Sequence, residues 1–90
     1  NDNGYYMGIP ALVVEIVSKS TRKRDYVKKL DVYMSCGVNE YWIVNPINKS
    51  ITIYFFKDRE IHDNAVFNKT EIAKSYIYEG LSVELGKVFR

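Results

Sequence analysis

Ninety residues amount to one small domain or part of one, a size at which about 60 to 65% of the unfolded chain's surface is buried on folding. A hydrophobic content of 47% with eight Tyr, four Phe and one Trp excludes disorder and favours a sheet-rich core, whereas a net charge of +2 singles out no class of partner. One Cys and one His allow neither an internal disulfide nor a zinc cluster, and the absence of a signal peptide, lipidation motif or membrane-length apolar run points to the cytoplasm.

The chain opens without an initiator Met on Asn1-Asp2-Asn3-Gly4, a turn composition that ordinarily follows an earlier strand. These ninety residues are therefore expected to be one partial domain. Tyr5 to Ile9 leads into Pro10-Ala11-Leu12-Val13-Val14-Glu15-Ile16-Val17-Ser18, a continuous apolar, β-branched run that reads as a strand buried on both faces. Glu15 alone interrupts it. An ionised carboxylate there would cost several kcal/mol if left unpaired, so the fold must supply a cation, a metal or hydrogen-bond donors.

Lys19 to Arg24 connects this strand to a helix beginning near Asp25, with Ser20 or Thr21 as the expected N-cap. Tyr26, Val27, Leu30, Tyr33 and Met34 fall within about 60° either side of Leu30 on a 3.6-residue wheel and define the face packed on the sheet. The wheel sends Lys28 to solvent and sets Lys29 about 100° from Leu30, at the edge of the packed stripe, so that only Lys29 can reach the sheet. Gly37 is the expected left-handed cap, with Val38 folding back behind it and the helix ending near Cys36.

Glu40-Tyr41-Trp42-Ile43-Val44 is the next strand, and its spacing from the first implies a βαβ crossover with parallel strands. Asn45 to Lys49 makes a turn, and Ser50 to Phe56 returns antiparallel as a hairpin. Lys57 to Glu60 is a charged turn, followed by weak strands at Ala65–Phe67 and within Glu71–Ser75. Tyr76-Ile77-Tyr78 reads as extended, Gly80 breaks it, and Leu81-Ser82-Val83 resumes before a terminal turn at Leu85 to Phe89. The fold class is α/β, a mixed sheet with a βαβ crossover and then antiparallel strands.

The run Pro10 to Thr21, followed by Asp25, Lys29, Tyr33 and Gly37-Val38-Asn39-Glu40-Tyr41-Trp42-Ile43-Val44, resembles the Uma-two family of restriction-endonuclease-like proteins, within the PD-(D/E)XK nuclease superfamily. The resemblance extends through Leu81-Ser82-Val83 to Val88-Phe89. It implies that the chain is the C-terminal part of an αβββαβ core whose first helix and strands lie upstream. It also implies a DNA endonuclease in which two carboxylates hold Mg²⁺ beside the scissile phosphate and a lysine positions or activates water. Glu15 matches the second carboxylate, and the main-chain carbonyl of Ile16 would be the adjacent oxygen ligand. Val17 stands where the motif lysine is expected, and Lys29 is similar to the family's substitute lysine.

Several positions depart from the family pattern. Ala11 follows Pro10 where many relatives have Asp, and the metal-binding Asp is expected on an earlier strand. Lys19 and Asn45 replace a common Pro and Asp, which reads as loop variation. The cluster Lys19, Arg22, Lys23, Arg24, Lys28 and Lys29 opposes the helix dipole unless an anion arrives, which marks Lys19, Arg22, Lys23 and Arg24 as candidate DNA-phosphate contacts. A plain solvated face explains the same charges equally well. Glu15 and Lys29 have a structural alternative too, a buried ion pair. His62 and Cys36 lack partners at catalytic or metal-ligand spacing, and base stacking by Tyr5 or Tyr6 has no support beyond residue type.

Two functions follow as expectations. One is a Mg²⁺-dependent endonuclease, of which the ninety residues alone would be inactive. The other is a degenerate nuclease fold kept for DNA binding or homo-oligomerisation. An uncovered face of the first strand would further drive a homodimer or higher oligomer, with faces stacked or with strands paired across a twofold axis.

Overall fold

The computed structural model describes residues 8–89. The expected turn at Asn1 to Gly4 and the tyrosines Tyr5 and Tyr6 lie outside them. In chain order the elements are β1 (Leu12–Ile16), α1 (Lys23–Cys36), β2 (Glu40–Asn45), β3 (Ser50–Lys57), β4 (Glu60–Phe67), β5 (Ile72–Lys74), β6 (Ser82–Glu84) and α2 (Leu85–Val88). Four strands form a mixed sheet in the order β1-β2-β3-β4, with β1 parallel to β2 and the other neighbours antiparallel. A separate antiparallel pair joins β5 to β6.

The alternation of side chains along β1 and β2 divides the core into two layers. Register pairs Val13 with Tyr41 and Glu15 with Ile43 on one face. There Val17, Tyr41, Ile43 and Phe56 are buried beneath Tyr26, Leu30, Tyr33 and Met34 of α1. Leu12, Val14 and Ile16 share the opposite face with Glu40, Trp42 and Val44. On that side Trp42, Ile51 and Ile53 are buried against Ala73, Leu85 and Phe89, so the small β5–β6 sheet and α2 form the second cover.

That second cover stops short of β1. Val14 is 50% exposed and Ile16 64% exposed, so among the described residues one face of the strand is covered and the other is open. Among the described residues β1 stands at one edge of the sheet.

The helix begins two residues earlier than expected. Arg22 occupies the N-cap position, and the Asp25 carboxylate accepts a hydrogen bond from its amide at 3.2 Å. Ser20 and Thr21 are not caps: their hydroxyls bond Ser18 Oγ, each at 3.0 Å, and close the turn after β1. Val27 is 49% exposed, so the packed stripe is narrower than the wheel suggested. The helix ends as expected on Gly37 at φ 94°, with Gly37 and Val38 donating back to Met34 and Tyr33 carbonyls and Val38 buried.

Asn45 Oδ1 accepts the amides of Ile47 and Asn48 and so folds the β2–β3 turn. Asp58 and Arg59, both with φ near 60° (54° and 60°), form the tight β3–β4 connection. β4 starts at Glu60, five residues before the expected weak strand, because it is zipped onto β3 from that turn despite its polar first half.

Candidate functional site

Glu15 sits near the end of β1 on the helix-covered face, flanked by Val13 and Val17, with its side chain 21% exposed. Lys29 leans from the middle of α1 and brings Nζ to 3.0 Å from Glu15 Oε1. This is the cation that an acid within an apolar strand requires. The Glu15 hydrogen bond and charge hold the Lys29 ammonium above its ordinary pKa of 10.5, with minor contributions from Tyr33 and Asp25. Lys28, one position earlier, faces solvent.

Three tyrosines set the rotation of α1 that aims Lys29. Tyr41 is fully buried on β2 and its hydroxyl donates to the Tyr26 carbonyl at 3.3 Å. Its ring meets that of Tyr33 edge to face at 5.1 Å and 62°, one helical turn after Lys29. Burial pushes the Tyr41 phenol well above its ordinary pKa, and the Glu15 carboxylate adds to the shift, so this hydroxyl stays protonated and serves as an anchor.

The hydrogen bonds from Glu40 N to Ala11 O and from Val17 N to Val44 O show that the odd-numbered residues of β1 turn their amides and carbonyls toward β2. The carbonyl of Ile16 accordingly points to the open edge, one residue from Glu15. Lys19 lies in the turn just beyond, and Arg22, Lys23 and Arg24 surround the start of α1, all exposed. Among the described residues, one end of β1 thus gathers the Glu15 carboxylate, the outward Ile16 carbonyl, the Lys29 ammonium and a basic rim.

A second acid was not singled out by sequence reasoning. Glu40 is completely buried on the opposite face, where Oε1 accepts hydrogen bonds from Ser75 Oγ and the amides of Tyr76 and Ile77 at 3.0, 3.0 and 3.1 Å. Its Oε2 accepts the Trp42 indole N–H. With four donors aimed at it, Glu40 clamps the 75–77 segment onto the sheet. That segment is bent there, which corrects the extended reading of Tyr76 to Tyr78. The only sequence signal was a Glu two residues before a Trp at a strand start, and its partners lie 35 to 37 residues further on.

Lying on opposite faces, Glu15 and Glu40 cannot share a metal ion. Among the described residues no group of three or more His, Cys, Asp or Glu side chains could hold one. His62 instead stands edge to face with Phe55, and Cys36 is a free, exposed thiol. No helix among the described residues is long and apolar enough to cross a membrane.

A family model described as "Uma2: Putative restriction endonuclease" matches residues 1–86. Among solved structures, the fold is similar to the crystal structure of "a putative nuclease belonging to DUF820" from Anabaena variabilis ATCC 29413, with a TM-score of 0.72 at 15% identity over 88% of this chain. The match covers 43% of that protein, so this chain spans less than half of its length. No curated protein matches.

Proposed function

This chain belongs to the Uma2 restriction-endonuclease family, and we propose that the intact protein is a Mg²⁺-dependent DNA endonuclease whose site is built on Glu15, the Ile16 carbonyl and Lys29. The observation that carries this reading is the 3.0 Å contact between Lys29 and a carboxylate that is neither buried nor saturated with donors. A purely structural acid would resemble Glu40. Glu15 keeps Oε2 free of any donor among the described residues, beside an outward carbonyl, and this pair of hard oxygens suits Mg²⁺, which binds through one or two carboxylates with water and substrate phosphate.

When bound, Mg²⁺ would supply Lewis-acid stabilisation of the phosphate and a more acidic water. The protein's own groups do the rest. Glu15 and the Ile16 carbonyl would hold the ion. Lys29 would hold the attacking water or a phosphate oxygen once its carboxylate partner is shared with the metal. Lys19, Arg22, Lys23 and Arg24 would receive the flanking DNA phosphates, where the N-terminal end of α1 favours negative charge. We place this activity in the cytoplasm.

Among the described residues the active face carries one carboxylate, too few for the paired-acid chemistry of the superfamily, so the ninety residues alone should not cut DNA. The test is nicking of supercoiled plasmid by the intact protein with Mg²⁺ and with EDTA, beside Glu15→Gln. Mg²⁺-dependent nicking that Glu15→Gln abolishes without unfolding is expected. Equal nicking by the variant would refute the assignment. DNA binding without nicking in any divalent metal would favour the non-catalytic alternative.

A further inference from the structure

We propose that Tyr41 is a positioning residue of the Glu15–Lys29 site, one that controls the reach of Lys29 from a neighbouring strand while its hydroxyl bonds neither member of the pair. The inference rests on the nuclease reading above. It adds to that reading a residue outside the metal, lysine and phosphate-contact set.

Lys29 has to reach across the sheet. α1 lies mainly over β2 and β4, whereas Glu15 is on β1, so the ammonium meets the carboxylate only by leaving the side of the helix toward the next strand. The rotation of α1 about its own axis is therefore critical. A side chain ends about 5 to 6 Å from the helix axis, so turning α1 by about 20° moves that end by about 2 Å. Such a shift is enough to open the 3.0 Å contact with Glu15.

Apolar packing fixes this rotation only loosely. None of the 14 residues of α1 is buried, and Val27 is 49% exposed although it falls on the apolar stripe. Tyr41 supplies the specific contacts. Its hydroxyl donates to the Tyr26 carbonyl, three residues before Lys29, and its ring meets that of Tyr33, four residues after it. One buried side chain thus holds the helix on both sides of Lys29. The Tyr26 carbonyl is the hydrogen-bond partner of this hydroxyl among the described residues, so a helix that turned away would strand the hydroxyl in the core.

Tyr54 offers the matched control. It stands opposite Tyr41 in the β2–β3 register and packs in the same layer, but its hydroxyl has no hydrogen-bond partner among the described residues. Removing that hydroxyl changes the same chemistry at the same face without touching α1.

The test is plasmid nicking with Mg²⁺ by the intact protein, comparing Tyr41→Phe with Tyr54→Phe, both with unchanged far-UV CD spectra. Tyr41→Phe keeps the ring and loses only the hydroxyl; it should lower kcat about 10- to 100-fold with KM near the parental value, the loss expected of a group misplaced by about 1 Å. Tyr54→Phe should leave kcat unchanged. In a Lys29→Ala background Tyr41→Phe should cost nothing further, because its whole effect passes through Lys29. A loss that persists in that background, or a Tyr41→Phe protein with parental kcat, would overturn the proposal. ¹⁵N NMR of the lysine ammonium groups, without metal and at mildly acidic pH, reads the positioning apart from cleavage. The Lys29 ammonium signal, protected from exchange by its bond to Glu15, should broaden in Tyr41→Phe and persist in Tyr54→Phe. That pattern in a protein that never nicks DNA would refute the nuclease reading alone, and an unaltered Lys29 signal in Tyr41→Phe would refute the positioning alone.

Discussion

Two glutamates stand on neighbouring strands and opposite faces of one sheet, and the fold treats them differently. Glu40 is sealed from water and receives four hydrogen bonds, from Trp42, Ser75, Tyr76 and Ile77. Glu15 is partly open and, among the described residues, holds a single partner, Lys29. A carboxylate saturated with donors has no lone pair left for a ligand, and its charge is spent on organising backbone. One that is half satisfied and within reach of solvent can exchange its partner for a metal ion or a phosphate-bound cation. The difference in donors, more than the shared charge, separates a structural acid from a chemical one.

The comparison breaks first on stability. Glu40→Ala would strand the Trp42 indole, the Ser75 hydroxyl and two amides in the core, so unfolding free energy should fall by about 3–5 kcal/mol in urea titrations. The Tyr76 ring, stacked on Phe55 at 5.3 Å, should loosen with it. Glu15→Gln should leave the urea midpoint close to the parental value. Equal losses from the two substitutions would show that both acids are structural.

Turnover should sharpen the same contrast. In the intact protein Lys29→Ala is expected to lower cleavage by about 10²–10⁴-fold, the range of a positioned acid–base or electrostatic group, while Lys28→Ala changes it little. Similar losses from both would mean that α1 contributes only positive charge.

These lysines also show how much was legible. The helix wheel alone placed Lys29 toward the sheet, because 3.6-residue periodicity is a local property. The parallel β1–β2 pair and the β2–β3 hairpin were legible for the same reason, in apolar runs and turn residues. Glu40 was not, since its meaning depends on amides some 35 residues away, and a charged first strand residue looks like any boundary. The early half of β4 was also hidden, because Glu60 to Asn64 has no alternation and is held in place by the Asp58–Arg59 turn. Ser20 and Thr21 had the right chemistry for a cap, but Ser18 captured their hydroxyls.

A smaller effect concerns pH. The pKa of Lys29 is raised in the folded chain by Glu15, so the stabilisation from this pair is fully present below the ordinary lysine value of 10.5 and is lost as pH rises through the raised one. Nζ-detected NMR should show the Lys29 titration midpoint falling toward 10.5 in Glu15→Gln, with the other lysines unmoved. Smaller still, Arg22→Ala and Lys23→Ala should each flatten the log–log salt dependence of DNA binding by about one unit, the cost of one phosphate contact.

The most direct measurement follows both acids in one sample: ¹³C NMR of the glutamate side-chain carboxyl groups of the intact protein during a Mg²⁺ titration. The Glu15 resonance should shift saturably and the Glu40 resonance should stay in place, because only the first carboxylate has an oxygen to give. A Glu15 resonance that ignores Mg²⁺, with or without movement at Glu40, would contradict the division between a chemical and a structural glutamate.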